Sequence, residues 1–291
     1  DAESGLYTAS PYGWNTNQEW KNSATTTVTE NGTYTVYVRN AIGNVSSKAI
    51  TISNIDKTAP TTPVITAKIG SDTGSTYTSG TWTNQPLIIT ATSTDEQSQI
   101  NRIEYSYDNK TWKTDWGTDL VTNGNQKSIK GTWNSNYNTT IYVRAVDNVG
   151  NVSAVSSIVL RQDKTAPTVT LSPNGGSYAK PPSENATIKT TITAADAGGS
   201  GLKTLQYAWS TSNTTEPTTW STFTNGATVS KTDCTEGTYY LWTKVYDNAG
   251  NRATTIKVSG GFTIGIQTIT INQSTTTWTN QNITVTITYP S

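Results

Sequence analysis

Apolar and polar residues alternate along much of this chain. The clearest apolar set lies near the end of the sequence, between threonines: Ile283, Val285 and Ile287. Residues 87–91 have the same pattern. A period of two residues predicts strands that bury one face. Gly, Asn and Pro separate these short stretches, and helix-forming residues dominate none of them. The pattern therefore predicts an all-β protein of tandem, antiparallel β-sandwich domains.

An internal repeat is visible in the sequence. Residues 141–151 recur as residues 241–251, and a shortened copy occupies residues 37–44. Each copy runs from an apolar stretch into a turn that contains Asn and Gly. Both residue types tolerate the positive φ that a tight hairpin requires. Each copy is therefore predicted to be a strand, a hairpin turn and the start of a second strand.

Two further repeated segments mark domain boundaries. The sequence Asp-Lys-Thr-Ala-Pro occurs at 56–60 and again at 163–167, and proline ends a strand because it cannot donate to the ladder. An Asp followed by a Ser precedes a Tyr-containing strand in residues 95–106 and 196–210. The predicted divisions are part of a split domain, two complete domains and the first strands of another domain: 1–57, 58–165, 166–265 and 266–291.

Together these segments resemble the bacterial immunoglobulin-like repeats of surface proteins, of the kinds called OmpL47-like or Big-type. The resemblance covers essentially the whole chain and defines a module type without indicating a ligand. It implies immunoglobulin-like sandwiches and a non-catalytic, extracellular role in a stalk, adhesin or fibre. Copies of the chain or flanking repeats are the expected partners, head to tail.

The two ends of the sequence fit together in the phase of the repeat. Residues 278–283 match residues 82–87, and joining Ser291 to Asp1 places Asp1 where Asp95 and Asp196 fall. Neither 1–57 nor 266–291 contains all the strands of a sandwich, so each would expose apolar faces and strand edges. We expect these two segments to pair between neighbouring units, and the residues expected to take part are Ile283, Val285, Ile287, Ser291, Asp1 and Leu6.

Three explanations of this phase stay open. The sequence could be one period of a longer tandem array, which agrees with the lack of a leader-like segment at its start. The split domain could instead be completed between molecules, as in donor-strand complementation. Closure of the two ends within one chain is the third, and in a linear array those ends lie far apart.

Composition excludes several functions. The chain of 291 residues has no His and one Cys, so catalytic triads with His and His-ligated zinc or iron sites are excluded. The formal net charge is zero, which argues against nucleic acid as the main partner. No apolar stretch approaches the ~18 residues of a membrane span. The prediction is therefore a protein that is not an enzyme, and Cys234 is expected to be a small core residue.

Calcium is a candidate ligand. Asp56 and Asp163 lie at predicted domain junctions, and Asp147 and Asp247 lie in the repeated hairpins. Asp95 and Asp196 lie in loops between strands. Several such oxygens at one junction could bind Ca²⁺ and stiffen the chain. The alternative is that these side chains accept hydrogen bonds from turn backbone.

A carbohydrate-binding or adhesive region of a secreted enzyme or adhesin is the alternative function. Trp112, Trp116 and Trp133 lie in polar surroundings, and aromatic faces stack on sugar rings. A host or environmental glycan or protein would then be the partner. The competing interpretation is that these rings fill small cores that contain little Phe, since the chain has 2 Phe and 10 Trp.

Overall fold

The structure of this protein is a computed structural model that describes residues 3–15, 19–254, 256–267, 270–274 and 277–288. The side chains of residues 119–123, 270–271 and 287–288 lie outside this description. Within the described residues, all regular secondary structure is β-strand. The predicted all-β class is therefore confirmed. None of these residues forms a helix with the length and apolar character of a membrane span.

The backbone divides into two compact units. The first comprises Asp1–Thr66, Ile89–Gly131 and Ile141–Ser157, and the second comprises Ala67–Ile88, Thr132–Thr140 and Ile158–Ser291. The boundaries of the units fall within strands of the region 64–162. The four-part division that the repeats suggest stays a prediction.

The N-terminal part of the first unit is a single four-stranded sheet of order β2-β1-β3-β4. Its strands are β1 (Tyr12–Trp14), β2 (Trp20–Lys21), β3 (Gly32–Arg39) and β4 (Val45–Ile52). Strands β3 and β4 pair antiparallel, from Gly32 opposite Ile52 to Arg39 opposite Val45. The repeated hairpin at Asn40–Asn44 joins these two strands.

Two sheets follow in the region 64–162. One has the order β5-β7-β10-β9, and its strands are β5 (Val64–Ile69), β7 (Leu87–Thr94), β10 (Gln126–Trp133) and β9 (Thr118–Asn123). The other has the order β6-β12-β11-β8, and its strands are β6 (Trp82–Thr83), β12 (Ser156–Gln162), β11 (Tyr137–Asp147) and β8 (Ile100–Ser106). The alternation in β7 leaves Leu87, Ile89 and Ala91 each 0% exposed. This strand therefore buries one face, as its period of two predicts.

The region 168–266 is a two-layer sandwich within the second unit. Its first sheet has the order β13-β15-β18, with β13 (Thr168–Ser172), β15 (Ala186–Ala195) and β18 (Thr228–Cys234). Its second sheet has the order β14-β20-β19-β16-β17, with β14 (Gly176–Lys180), β20 (Phe262–Ile266), β19 (Gly237–Asp247), β16 (Leu202–Ser210) and β17 (Ser221–Thr222). Residues such as Ile188, Leu241 and Phe262 form the core between the sheets. Cys234 is a fully buried member of that core. This arrangement is immunoglobulin-like.

A two-stranded hairpin is the last element of the described residues. Its strands are β21 (Thr270–Gln273) and β22 (Val285–Thr288). They pair antiparallel, from Thr270 opposite Thr288 to Gln273 opposite Val285. Its pairing has the same sense as that of β13 with β15.

Candidate functional site

Two triads of carboxylates are the densest acidic clusters among the described residues. Asp56, Asp95 and Asp147 form one within the first unit, with one carboxylate oxygen from each lying within 4.8 Å of the others. Asp163, Asp196 and Asp247 form the other within the second unit, with the same spacing. The third member of each triad ends a long strand, β11 or β19. The structure therefore brings the six aspartates of the repeats together in two separate groups of three.

Backbone N–H groups of turns donate hydrogen bonds to the carboxylate oxygens of the first triad. The Oδ1 atom of Asp95 accepts hydrogen bonds from the N–H groups of Gln97, Ser98 and Gln99 at 2.9–3.0 Å. The Oδ1 atom of Asp147 accepts the N–H of Asn151 at 2.7 Å. Hydrogen bonds from Ser98 and Thr58 hold the pKa of Asp56 below its usual value. These contacts agree with the interpretation that the aspartates satisfy turns.

In the second triad, one buried carboxylate oxygen has no hydrogen-bond donor among the described residues. The Oδ2 atom of Asp196 accepts the N–H of Gly201 at 2.6 Å, whereas its Oδ1 atom is buried without a partner among the described residues. Burial raises the pKa of Asp196, and the charges of Asp163 and Asp247 raise it further. A Cβ atom at Gly199 would come within 2.5 Å of carboxylate oxygens of Asp163 and Asp196, so the backbone passes very close to this triad. Oxygen ligands suit Ca²⁺. Calcium binding at Asp56, Asp147, Asp163 and Asp247 stays a prediction.

The three tryptophans proposed to bind glycans differ in exposure. Trp116 and Trp133 are buried, at 5% and 6% exposure, so little of either ring is available to a sugar. Trp112 is partly exposed, and the guanidinium of Arg144 lies 4.0 Å from its ring centroid. That contact occupies one face of the ring. The structure therefore offers one partly covered ring where the sequence suggested three.

The residues expected at the unit ends are strongly exposed where they are described. Leu6 is 43% exposed, Ile283 48% and Val285 57%. Asp1 and Ser291 lie outside the described residues, and so does the side chain of Ile287, whose backbone pairs with Ile271. Apolar side chains of this size are normally buried in a sandwich strand.

The N-terminal sheet corresponds to one layer of a complete sandwich. Its order β2-β1-β3-β4 matches the order β17-β16-β19-β20. The Oδ1 atom of Asn40 accepts the N–H of Asn44 at 2.8 Å, as Asp247 Oδ1 accepts the N–H of Asn251 at 2.8 Å. Asn40 therefore occupies the place of the hairpin aspartate. Counting back along the strand places Val36 where Val143 and Thr243 lie.

That correspondence exposes a difference in burial. Val143 is 0% exposed and Thr243 is 2% exposed, whereas Val36 is only half-buried. The complete sandwich has a second sheet against this face. The described residues 3–57 form no second sheet.

One buried ion-pair cluster is not indicated by any repeat or motif of the sequence. Glu104 is 6% exposed and accepts hydrogen bonds from Arg102 and Arg144, each at 2.7 Å. Burial raises the pKa of Glu104, but the two guanidinium groups outweigh that effect and the net pKa is lowered. Arg144 lies opposite Glu104 on the neighbouring strand. Only the strand register reveals this pair, so its signal was absent from the sequence.

The solved structures that this chain resembles are distant from it in sequence. No family model and no curated protein matches the chain. Among solved structures, fibronectin(III)-like modules of Clostridium thermocellum CbhA match with 15% identity and a TM-score of 0.31, over 69% of this chain and 94% of that one. A tetra-tandem repeat from the extending region of a large adhesion protein matches with 16% identity and a TM-score of 0.33, over 89% and 70%. The sialic acid binding region of a Streptococcus sanguinis adhesin matches with 12% identity and a TM-score of 0.22, over 70% and 78%. Similarities this distant transfer no function, and the chain's own sheets define it as an all-β protein with immunoglobulin-like sandwiches.

Proposed function

We propose that this chain is a non-catalytic structural segment of a secreted or cell-surface bacterial protein. Immunoglobulin-like repeats of the OmpL47-like or Big type would be joined in it end to end as part of a stalk, adhesin or fibre. Strand pairing between neighbouring units, either copies of the chain or flanking repeats, completes the domain that is divided between the predicted segments 1–57 and 266–291.

One observation carries this proposal. Ile283 and Val285 match Leu87 and Ile89 in the repeat, yet they are 48% and 57% exposed where their counterparts are both 0% exposed. The same strand is thus buried in one copy and open in the other. Each side chain is already about half buried, so completing its burial stabilises an association by about 0.8–1.5 kcal/mol, half of the value for a fully exposed side chain.

The missing layers are complementary. The strands β21 and β22 correspond to β13 and β15, which form a layer with β18 in the complete sandwich. The N-terminal sheet corresponds to the opposite layer. The hairpin of one copy or repeat therefore supplies strands of the second layer that the N-terminal sheet of the next copy lacks. Backbone hydrogen bonds at the open strand edges add specificity.

Self-association of the full chain tests the proposal. Sedimentation velocity across a wide range of concentrations is expected to show species that grow with concentration, because a head-to-tail contact does not close. The variant Val285→Lys is expected to abolish that growth, because it places a charge on the open apolar face. Thr286→Lys, on the opposite face of the same strand, is the matched control and should associate like the parent chain.

A chain that stays monomeric at every concentration would contradict the proposed assembly. Equal loss of association in both lysine variants would show that charge, rather than the apolar face, is responsible. The circular dichroism of both variants should match that of the parent, since Val285 and Thr286 are both exposed.

Carbohydrate binding is the alternative function, and its support is weaker after the burial of Trp116 and Trp133. Saturable binding on a glycan array that is lost in Trp112→Ala would favour it. The controls are the parent chain and Trp220→Ala, which removes another partly buried indole.

A further inference from the structure

A cavity of about 470 Å³ lies beside the end of the N-terminal sheet, within the first unit. Its walls include Asn31, Asn54, Ile55, Asp56 and Ser98. Most of the residues that line it are polar, and it has room for a large side chain.

The second unit contains the corresponding cavity with a volume of about 110 Å³. Residues 44–60 and 151–167 align without a gap, which places Ile55 at Gln162 and Asp56 at Asp163. Both Gln162 and Asp163 line the smaller cavity. The smaller cavity has a wall that the larger one lacks, the side chain of Trp82.

Trp82 is held in place by strand pairing. Residues Trp82 and Thr83 run parallel to β12, opposite Arg161 and Gln162. The N–H of Asp163 donates to the carbonyl of Thr83 at 3.0 Å. The guanidinium of Arg161 lies 5.8 Å from the indole centroid. A short parallel edge strand thus places the indole beside the cavity.

The repeat counterpart of Trp82 is Trp278, which is fully exposed at 104%. The turn after it already has the geometry of the complete domain. The N–H of Gln281 donates to Thr279 Oγ1 at 3.1 Å, as Gln85 N–H donates to Thr83 Oγ1 at 3.1 Å. The segment that would carry the indole into a cavity is therefore preformed.

We propose that Trp278 of a second copy of this chain occupies the cavity beside Asn54 and Ile55. Trp278 and Thr279 run parallel to the chain at Asn54 and Ile55, and the N–H of Asp56 donates to the carbonyl of Thr279. The indole acts as the anchor of the contact, and its edge strand fixes the register. This inference rests on the proposed function, and it adds the register and the anchoring residue.

The variant Trp278→Ala tests the anchor in the full chain. We expect association to weaken about 30-fold, which is typical for removal of a buried indole at an interface. Folding should be unchanged, because the Trp278 side chain is fully exposed. The matched control is Trp220→Ala, which removes an indole that packs 4.3 Å from the Lys244 ammonium in the second unit. That control should associate like the parent.

A cysteine pair tests the register. Ile55→Cys combined with Thr279→Cys should form a disulfide between molecules under mild oxidation, because paired residues lie within disulfide reach, about 5–6 Å between Cα atoms. Ile55→Cys with Gln281→Cys, shifted by two residues, should not. The native Cys234 is fully buried and stays as a constant background.

The outcomes separate the two proposals. A chain that never associates overturns the proposed function. If the chain associates, but Trp278→Ala has no effect and the cysteine pair forms no disulfide, only the proposed binding site of the indole is overturned. A disulfide formed within one molecule would overturn the proposal that Trp278 of a second copy occupies the cavity.

Discussion

Strand β7 and the residues 283–288 are two copies of one sequence element in different surroundings. In β7 the apolar side chains face a closed core and are fully buried, whereas Ile283 and Val285 are about half exposed. Both copies have the same alternation and the same preceding turn. The difference teaches that alternation specifies which face a strand buries, while a second layer must be present to bury it.

The largest predicted effect separates these two copies by stability. Ile89→Ala should lower the free energy of unfolding of its region by about 2–5 kcal/mol, because it removes buried atoms and leaves a cavity. Val285→Ala should cost less than about 1 kcal/mol in the dissociated chain, since that side chain is 57% exposed. Urea unfolding at low protein concentration measures both. Equal costs would show that the terminal strand is already buried.

A smaller effect concerns an ion pair that the complete region has and the N-terminal sheet lacks. Glu104 lies opposite Arg144, and the corresponding positions in the N-terminal sheet are Gly13 and Tyr37. Glu104→Gln should cost about 1–2 kcal/mol at pH 7, after allowance for the partly exposed arginines.

The pH dependence of that cost has a definite sign. The pKa of Glu104 is lower in the folded state than in the unfolded state. Its contribution to the free energy of unfolding is therefore complete above the unfolded pKa and is lost as pH falls through the folded pKa. The difference between parent and Glu104→Gln in urea midpoint should therefore shrink between pH 7 and pH 3. Glu216→Gln, in a more exposed pair, is the control and should cost ~0–1 kcal/mol. A difference that grows at low pH would contradict the assignment.

The smallest predicted effect concerns calcium and the hairpin position. The two complete triads have Asp147 and Asp247 where the N-terminal sheet has Asn40. Added Ca²⁺ should stabilise the parent by about 1 kcal/mol when the free ion is at five times its dissociation constant. The double variant Asp147→Asn with Asp247→Asn should lose that gain. Thermal melts with Ca²⁺ and with a chelator measure it, and an unchanged melting temperature in the parent would contradict calcium binding.

Much of the fold was predictable because it depends on local patterns. Alternation and turn residues predicted the strands, and the repeats placed Asp95 and Asp147 of one predicted domain where Asp196 and Asp247 lie in the next. The meeting of each pair within 4.8 Å follows from strand order. The matching segments 44–60 and 151–167 also place Ile55 and Asp56 at the positions of Gln162 and Asp163, and both pairs line a cavity in the structure.

Other features depend on contacts that no local pattern encodes. Trp116 and Trp133 have polar neighbours in sequence, yet both rings are buried in the structure. An indole has a large apolar body, so its neighbours in space decide its exposure. The pair of Glu104 with Arg144 likewise requires the register of two strands far apart in the chain.

The hairpins have a mechanical consequence. Asn151 Nδ2 donates to the carbonyls of Asp56 and Thr58, and Asn251 Nδ2 donates to those of Asp163 and Thr165. Each segment that leads into a repeat is thus fastened to the hairpin of that same repeat. Under tension, such a segment must break these two hydrogen bonds before it can lengthen, so pulling force reaches the folded β-sheets with little slack in between.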